Sequence, residues 1–209
     1  MKLTFIYDPS REIIPLKFGF RSTNSAVLTE FARRAQADNI EITDVDKVEA
    51  LSLTLLREAS LDSAIVRDSF QEKWETIESE VVARFQKMFQ TDWEPGDVTA
   101  YLTVSTRCPY NASAQFFFVS FFKTSPMRTC LHELQHFYAH QLLEPIFTEQ
   151  NKAERFNEFK ESLTVLLNKA FGDILESPDE GYEQHIASRK RILELFEQGQ
   201  ILREIATNW

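Results

Sequence analysis

The stretch from Ser125 to Pro145, SPMRTCLHELQHFYAHQLLEP, carries three of the chain's four histidines within nine positions. Among them His132, Glu133 and His136 spell H-E-x-x-H. Residues four apart share a helix face, so two imidazoles at this spacing can bind one zinc ion, and the glutamate beside them can take a proton from water attacking a carbonyl carbon. The chemistry such a pattern supports is metal-assisted hydrolysis. The competing reading is a surface or interface helix on which the histidines are incidental. Leu131, Leu134, Phe137, Tyr138, Leu142 and Leu143 surround most of the helix with apolar side chains, which predicts burial, and buried histidines must have partners. His140 continues the same face but lies eight residues from His132, about 12 Å along a straight helix. Three imidazoles cannot meet one ion over that length, so His140 is expected to play a supporting or structural part.

A catalytic zinc site normally has three protein ligands and one open position, so a third ligand must come from elsewhere in the chain. Downstream, TEQNKAERFNEFKESLTVLLNKAFG begins with a charged half containing Glu154, Arg155, Glu158 and Lys160, the composition of a solvated face. From Ser162 to Asn168 it has no charge at all. Glu161 opens this uncharged run, and a carboxylate buried there needs a cation to offset its desolvation. A zinc ion is such a cation.

HELQH followed about 25 residues later by a glutamate on a second helix resembles the gluzincin branch of the zincin metallopeptidases. The resemblance covers roughly residues 98 to 168, with a further match near Tyr182. It implies a fold in which a small sheet precedes the motif helix and a glutamate-bearing helix follows it. It also implies that His132 and His136 bind zinc, that Glu133 is the general base and that Glu161 is the third ligand. The family's frequent N-E-x-x-x-[DS] form fits NEFKES instead, with Glu158 as ligand and Ser162 four residues on; Glu161 is favoured because its surroundings are less charged. The chain lacks the G-x-M-E-N signature of the M1-type aminopeptidases. Zincin chemistry also uses a Tyr or His to stabilise the oxyanion. In SPDEGYEQHIASRKR, Ser177 and Pro178 read as a helix start, placing Tyr182, His185 and Arg189 on one face. Tyr182 or His185 is the candidate oxyanion donor and Arg189 a candidate for binding a substrate carboxylate, against the alternative of an exposed polar helix surface. Zincins commonly bind an extended peptide along a sheet edge, and CPYNASAQ is the candidate edge because Pro109 is tolerated only at an edge or a bend.

The elements that must hold these residues can be read in outline. LTFIY at residues 3 to 7 alternates as a strand, and residues 24 to 36 form a helix with Asn24 as its cap. From Ser60, apolar residues Ile65, Val66, Phe70, Trp74, Ile77, Val81, Phe85, Met88 and Phe89 recur at steps of three and four, predicting one long helix to about residue 90 with a core-facing stripe. VTAYLTVST (98 to 106) alternates as a half-buried strand. AQFFFVSFF (114 to 122) reads as a strand covered on both faces. Three helices follow, over about 126 to 142, 149 to 171 and 178 to 207, the last with a break near Gly199. Ser125 and Pro126 start the first of them. The fold class expected is α+β, helix-rich, in a single domain over residues 1 to 209.

Composition sets the outer limits. Eighteen Phe and three Trp in a chain of 209 residues supply a large aromatic core, and no linker-like run divides it. A net charge of -9 argues against nucleic acid and anionic lipid as partners. No signal-peptide pattern and no apolar run of spanning length is present, so a cytoplasmic protein without membrane association is expected. Cys108 and Cys130 cannot build a disulfide framework and are expected to be buried thiols. Taken together, these features predict a zinc-dependent peptidase acting on a peptide or protein substrate. The alternatives are a zincin-fold binding or regulatory protein that holds zinc with no or very narrow proteolytic activity, and a metal-free helical interaction domain.

Overall fold

The computed structural model describes residues 1–15, 33–35, 41 and 43–209. Of the helix expected over residues 24 to 36, only residues 33–35 are described, and they are helical; its cap Asn24 lies outside the described residues. The fold class is α+β and helix-rich, with one four-stranded mixed sheet. Its contacts group the chain into two compact units: a sheet unit, Lys2–Thr76 with Asp97–Pro126, and a helical unit, Ile77–Gly96 with Met127–Trp209.

In the sheet unit, β1 (Lys2–Tyr7), β2 (Asp97–Thr103), β3 (Tyr110–Asn111) and β4 (Phe116–Ser120) lie in the order β1-β2-β4-β3. β1 and β4 both pair with β2 in parallel, with Phe5 opposite Ala100 and Ala100 opposite Phe117, while β3 runs antiparallel to β4. Alternation buries Leu3 and Phe5 from β1 and Val98, Ala100 and Leu102 from β2. Phe117, Phe118 and Val119 are buried consecutively, as a strand covered on both faces requires. Parallel pairing needs a crossover, and the chain between β1 and β2 contains α1 (Val45–Glu58) and α2 (Ser63–Glu75). Gln71 of α2 closes one sheet edge: its Oε1 accepts from Phe5 N at 2.9 Å and its Nε2 donates to Leu3 O at 3.2 Å. Pro109 directly precedes β3, the strand at the other edge.

The single helix expected from Ser60 to residue 90 is two helices, α2 and α3 (Glu78–Phe89), broken at Thr76–Ile77. Thr76 Oγ1 donates back to Lys73 O at 2.8 Å, a local bond that competes with helix continuation, and the boundary between the units falls here. The apolar stripe divides with it. Trp74, Val81, Phe85, Met88 and Phe89 are buried, but Ile65 is 69% exposed, so the stripe is not core along its whole length.

The helical unit contains α3, α4 (Pro126–Leu142), α5 (Glu144–Glu149), α6 (Ala153–Leu163), α7 (Val165–Ala170), α8 (Ile186–Glu197) and α9 (Leu202–Thr207). Phe85 of α3 stacks on Tyr138 of α4 at 4.9 Å and meets Phe171 at 4.7 Å, while Trp93 packs edge-on against Tyr138 at 5.1 Å. Phe147, Phe156, Phe159 and Trp209 form a second aromatic cluster. The helix expected over 149 to 171 divides into α6 and α7 at Thr164, whose Oγ1 donates to Glu161 O at 2.9 Å. That expected from 178 begins instead at a 3-10 turn, Glu183–His185, and breaks at Gly199 with φ +89 before α9. Cys130 is fully buried and Cys108 half-buried. No helix among the described residues is long and apolar enough to cross a membrane.

Candidate metal centre

The motif helix α4 is buried from Pro126 through Ala139, except for Arg128 and His132, which are half-buried. Its amino end is held by the Glu176 carboxylate, which accepts from Met127 N at 3.3 Å and Arg128 N at 3.2 Å, and a negative charge is favourable at that end of the helix dipole. Gln135 is buried inside the motif, and its Nε2 donates to Leu163 O at 2.8 Å. That bond ties the motif helix to the last turn of α6, the turn bearing Glu161.

His132, His136 and Glu161 come together in the helical unit with one ligand atom from each within 4.8 Å of the others. Glu161 Oε2 lies 3.6 Å from His132 Nε2, and Oε1 lies 3.4 Å from His136 Nε2. The trio could hold a metal ion. Its donor set, two imidazoles and one carboxylate, suits zinc, and Glu161 Oε2 is buried without accepting a hydrogen bond among the described residues. Glu158, the alternative third ligand, is engaged elsewhere, accepting from Ser188 Oγ. His140 and His185 also stand outside the trio. His140 Nδ1 bonds Glu144 Oε2 at 2.8 Å and its ring packs edge-on against Phe156.

Behind His132 is a residue that the sequence did not reveal. Asp179 Oδ2 lies 2.8 Å from His132 Nδ1, which leaves Nε2 for the trio, the arrangement by which a carboxylate fixes the tautomer and ring orientation of a metal-binding histidine. Asp179 is itself firmly placed. Asp179 N donates to Asn168 Oδ1 at 2.7 Å, Asn168 Nδ2 donates to Asp179 O at 2.9 Å, and Asp179 Oδ1 lies 3.0 Å from Thr164 Oγ1. Arg189 adds bonds to Asp179 O, Asp179 Oδ1 and Thr164 Oγ1. Arg189 is buried by these contacts, so the sequence expectation that it meets a substrate carboxylate is corrected: its guanidinium serves the chain's own carboxylate. Gly181 makes room for it. Its φ is +65, and a Cβ there would collide with the Arg189 guanidinium.

Lys160 is a second surprise. Expected on a solvated face, it is 4% exposed, with Nζ donating to Glu161 Oε1 at 2.7 Å. Nothing in its neighbourhood, EFKES, separates it from the charged residues before it, which are exposed or half-buried. Asp179 likewise sits in a polar SPDEGY loop with no spacing relation to the motif. Both depend on how segments pack rather than on local pattern.

Electrostatics follow from this crowding. Burial would discharge His132, but Asp179 and Glu161 outweigh it and raise its pKa to about 10. His136 is lowered to about 3, first by burial and then by the charge on His132. Burial opposes ionisation of Glu161 too, yet the close approach of both histidines and the bond from Lys160 hold it far below the usual carboxylate range. Glu133 has no such bonds: desolvation lifts it to about 7, and its Oε2 is buried without a hydrogen-bond partner among the described residues.

Tyr182 and His185 do not share one helix face as expected. Tyr182, 51% exposed, precedes the 3-10 turn in an extended conformation, whereas His185 is buried, and their rings meet edge-on at 6.1 Å. No protein-family model, curated protein or solved structure matches this chain.

Proposed function

We propose that this chain is a zinc-dependent peptidase of the zincin kind, with His132, His136 and Glu161 as metal ligands and Glu133 as general base. The observation that carries the reading is the convergence of three ligand-type side chains from two helices, with His132 anchored through Nδ1 by Asp179. Bound zinc would supply Lewis acidity and ease deprotonation of water near neutral pH. Asp179 keeps His132 in the tautomer whose Nε2 faces the trio. Glu133, with a pKa near 7, can take the proton of the attacking water and return it to the leaving amine. His132 keeps 18% and Glu161 13% of its side-chain surface exposed, which supports access from solvent. Tyr182 or His185 remains the candidate for oxyanion stabilisation, and a peptide or protein is the proposed substrate.

Purified protein is expected to hold about one zinc per chain, and Glu133→Gln to retain the metal while losing peptide cleavage. A chain that takes up no zinc after supplementation ends this reading. Two observations favour a second reading, a regulatory or binding protein that holds metal but cleaves nothing or a single partner: Arg189 is committed to Asp179, and Tyr182 is half in solvent. A peptide library screened with zinc-loaded protein separates the two readings, since broad cleavage excludes the second.

A further inference from the structure

We propose that Lys160 is a positioning residue that keeps Glu161 a one-oxygen metal ligand. Neighbouring residues on a helix project about 100° apart and do not ordinarily face each other. Lys160 is nevertheless only 4% exposed, and its ammonium donates to Oε1 of the next residue at 2.7 Å. An ammonium taken out of water needs a charged or hydrogen-bonding partner, and this bond supplies one. The two oxygens of Glu161 are therefore unequal. Both face a histidine, Oε1 at 3.4 Å from His136 Nε2 and Oε2 at 3.6 Å from His132 Nε2, but Oε1 also accepts from Lys160, whereas Oε2 is buried and accepts no hydrogen bond among the described residues. A carboxylate with both oxygens free can grip a cation with both and fill an extra coordination position. With part of its lone-pair density given to Lys160, Oε1 becomes the weaker donor, so Glu161 favours Oε2 and the position a hydrolytic site must leave for water stays open. The Lys160 charge also acts on Glu133 and His136.

This inference rests on the metal reading of the trio, and the experiment separates the two. The full-length chain and its Lys160→Met, Lys160→Gln and Lys160→Arg variants are titrated with Zn2+ against a chromophoric chelator. The Co2+ forms are then compared by visible absorption, which is more intense for four-coordinate than for higher-coordinate cobalt. Lys160→Met is expected to bind metal about 10- to 100-fold more weakly and to show a weaker, higher-coordinate cobalt spectrum, with Lys160→Arg recovering both. Lys160→Gln, which keeps a donor without the charge, serves where the Met variant does not fold. It is expected to keep the wild-type spectrum while losing part of the affinity. Wild-type affinity and spectrum in Lys160→Met, or tighter binding, overturns the inference while leaving the metal site standing. A wild-type chain that binds neither ion removes both.

Discussion

Glu12 in the sheet unit and Glu161 in the helical unit are both carboxylates largely withdrawn from water, and they settle in opposite states. Glu12 is 1% exposed and is met by the Thr103 hydroxyl and by Val104 N at 2.9 Å. These two neutral donors do not offset desolvation, and its pKa rises to about 7. Glu161 is met by two histidines and a lysine, and its pKa falls. Burial costs both groups; the charge of the partners decides the outcome. A lone buried carboxylate with neutral donors acts as a tie between backbone segments. One that stays ionised beside two histidines could share a cation with them.

The sharpest way to break this contrast is at Glu133, which resembles Glu12 in its raised pKa but stands beside the trio. Glu133→Gln is expected to lower peptide hydrolysis between about 100- and 10,000-fold with metal content unchanged, measured by steady-state cleavage alongside metal analysis. Unchanged hydrolysis would make Glu133 another buried structural carboxylate. Next in size is Glu12 itself. Its folded pKa near 7 lies above the unfolded value near 4.5, so between these pH values the folded chain binds more protons and stability falls as pH rises. The loss attributable to this group is about 3 kcal/mol above pH 7 relative to below pH 4.5. Glu12→Gln, followed by denaturant unfolding across this pH range, should flatten the wild-type slope; parallel slopes for the two proteins contradict a neutral Glu12.

Asp179→Asn keeps the shape behind His132 but removes the charge, and metal affinity is expected to fall about 10- to 100-fold, read by chelator competition. Smallest is His140→Ala. Because His140 pairs with Glu144 at a partly exposed site, metal stoichiometry should not change and stability should fall by no more than about 1 kcal/mol. A loss of metal in that variant would bring His140 into the site despite the distance that separates it from His132.

Local pattern carried part of this far. The bounds of α4, the burial of its apolar positions, the alternation in β1 and the two-sided burial of β4 all follow from periods of 3.6 and 2 that any segment expresses without knowing its neighbours. The single long helix to residue 90 failed for the complementary reason: hydrophobic period continues through Thr76 and Ile77, while the break depends on a side-chain hydroxyl and on the boundary between units. The sheet's parallel pairing was equally invisible, because register between strands far apart in the chain is set by long-range contacts.

The site divides along the same line. That His132 and His136 share a face with Glu133 alongside was determined by sequence alone, since four residues make about one helical turn. Glu158 and Glu161 are only about 60° apart around α6, so which of them meets the histidines depends on the rotation of that helix in its packing. Tertiary structure turned Glu161 inward, gave Glu158 to Ser188, buried Lys160 and brought Asp179 behind His132 from a loop 47 residues away. Short-range geometry is written in residue spacing, whereas the partners that orient and charge a site come from segments whose meeting only the folded chain decides.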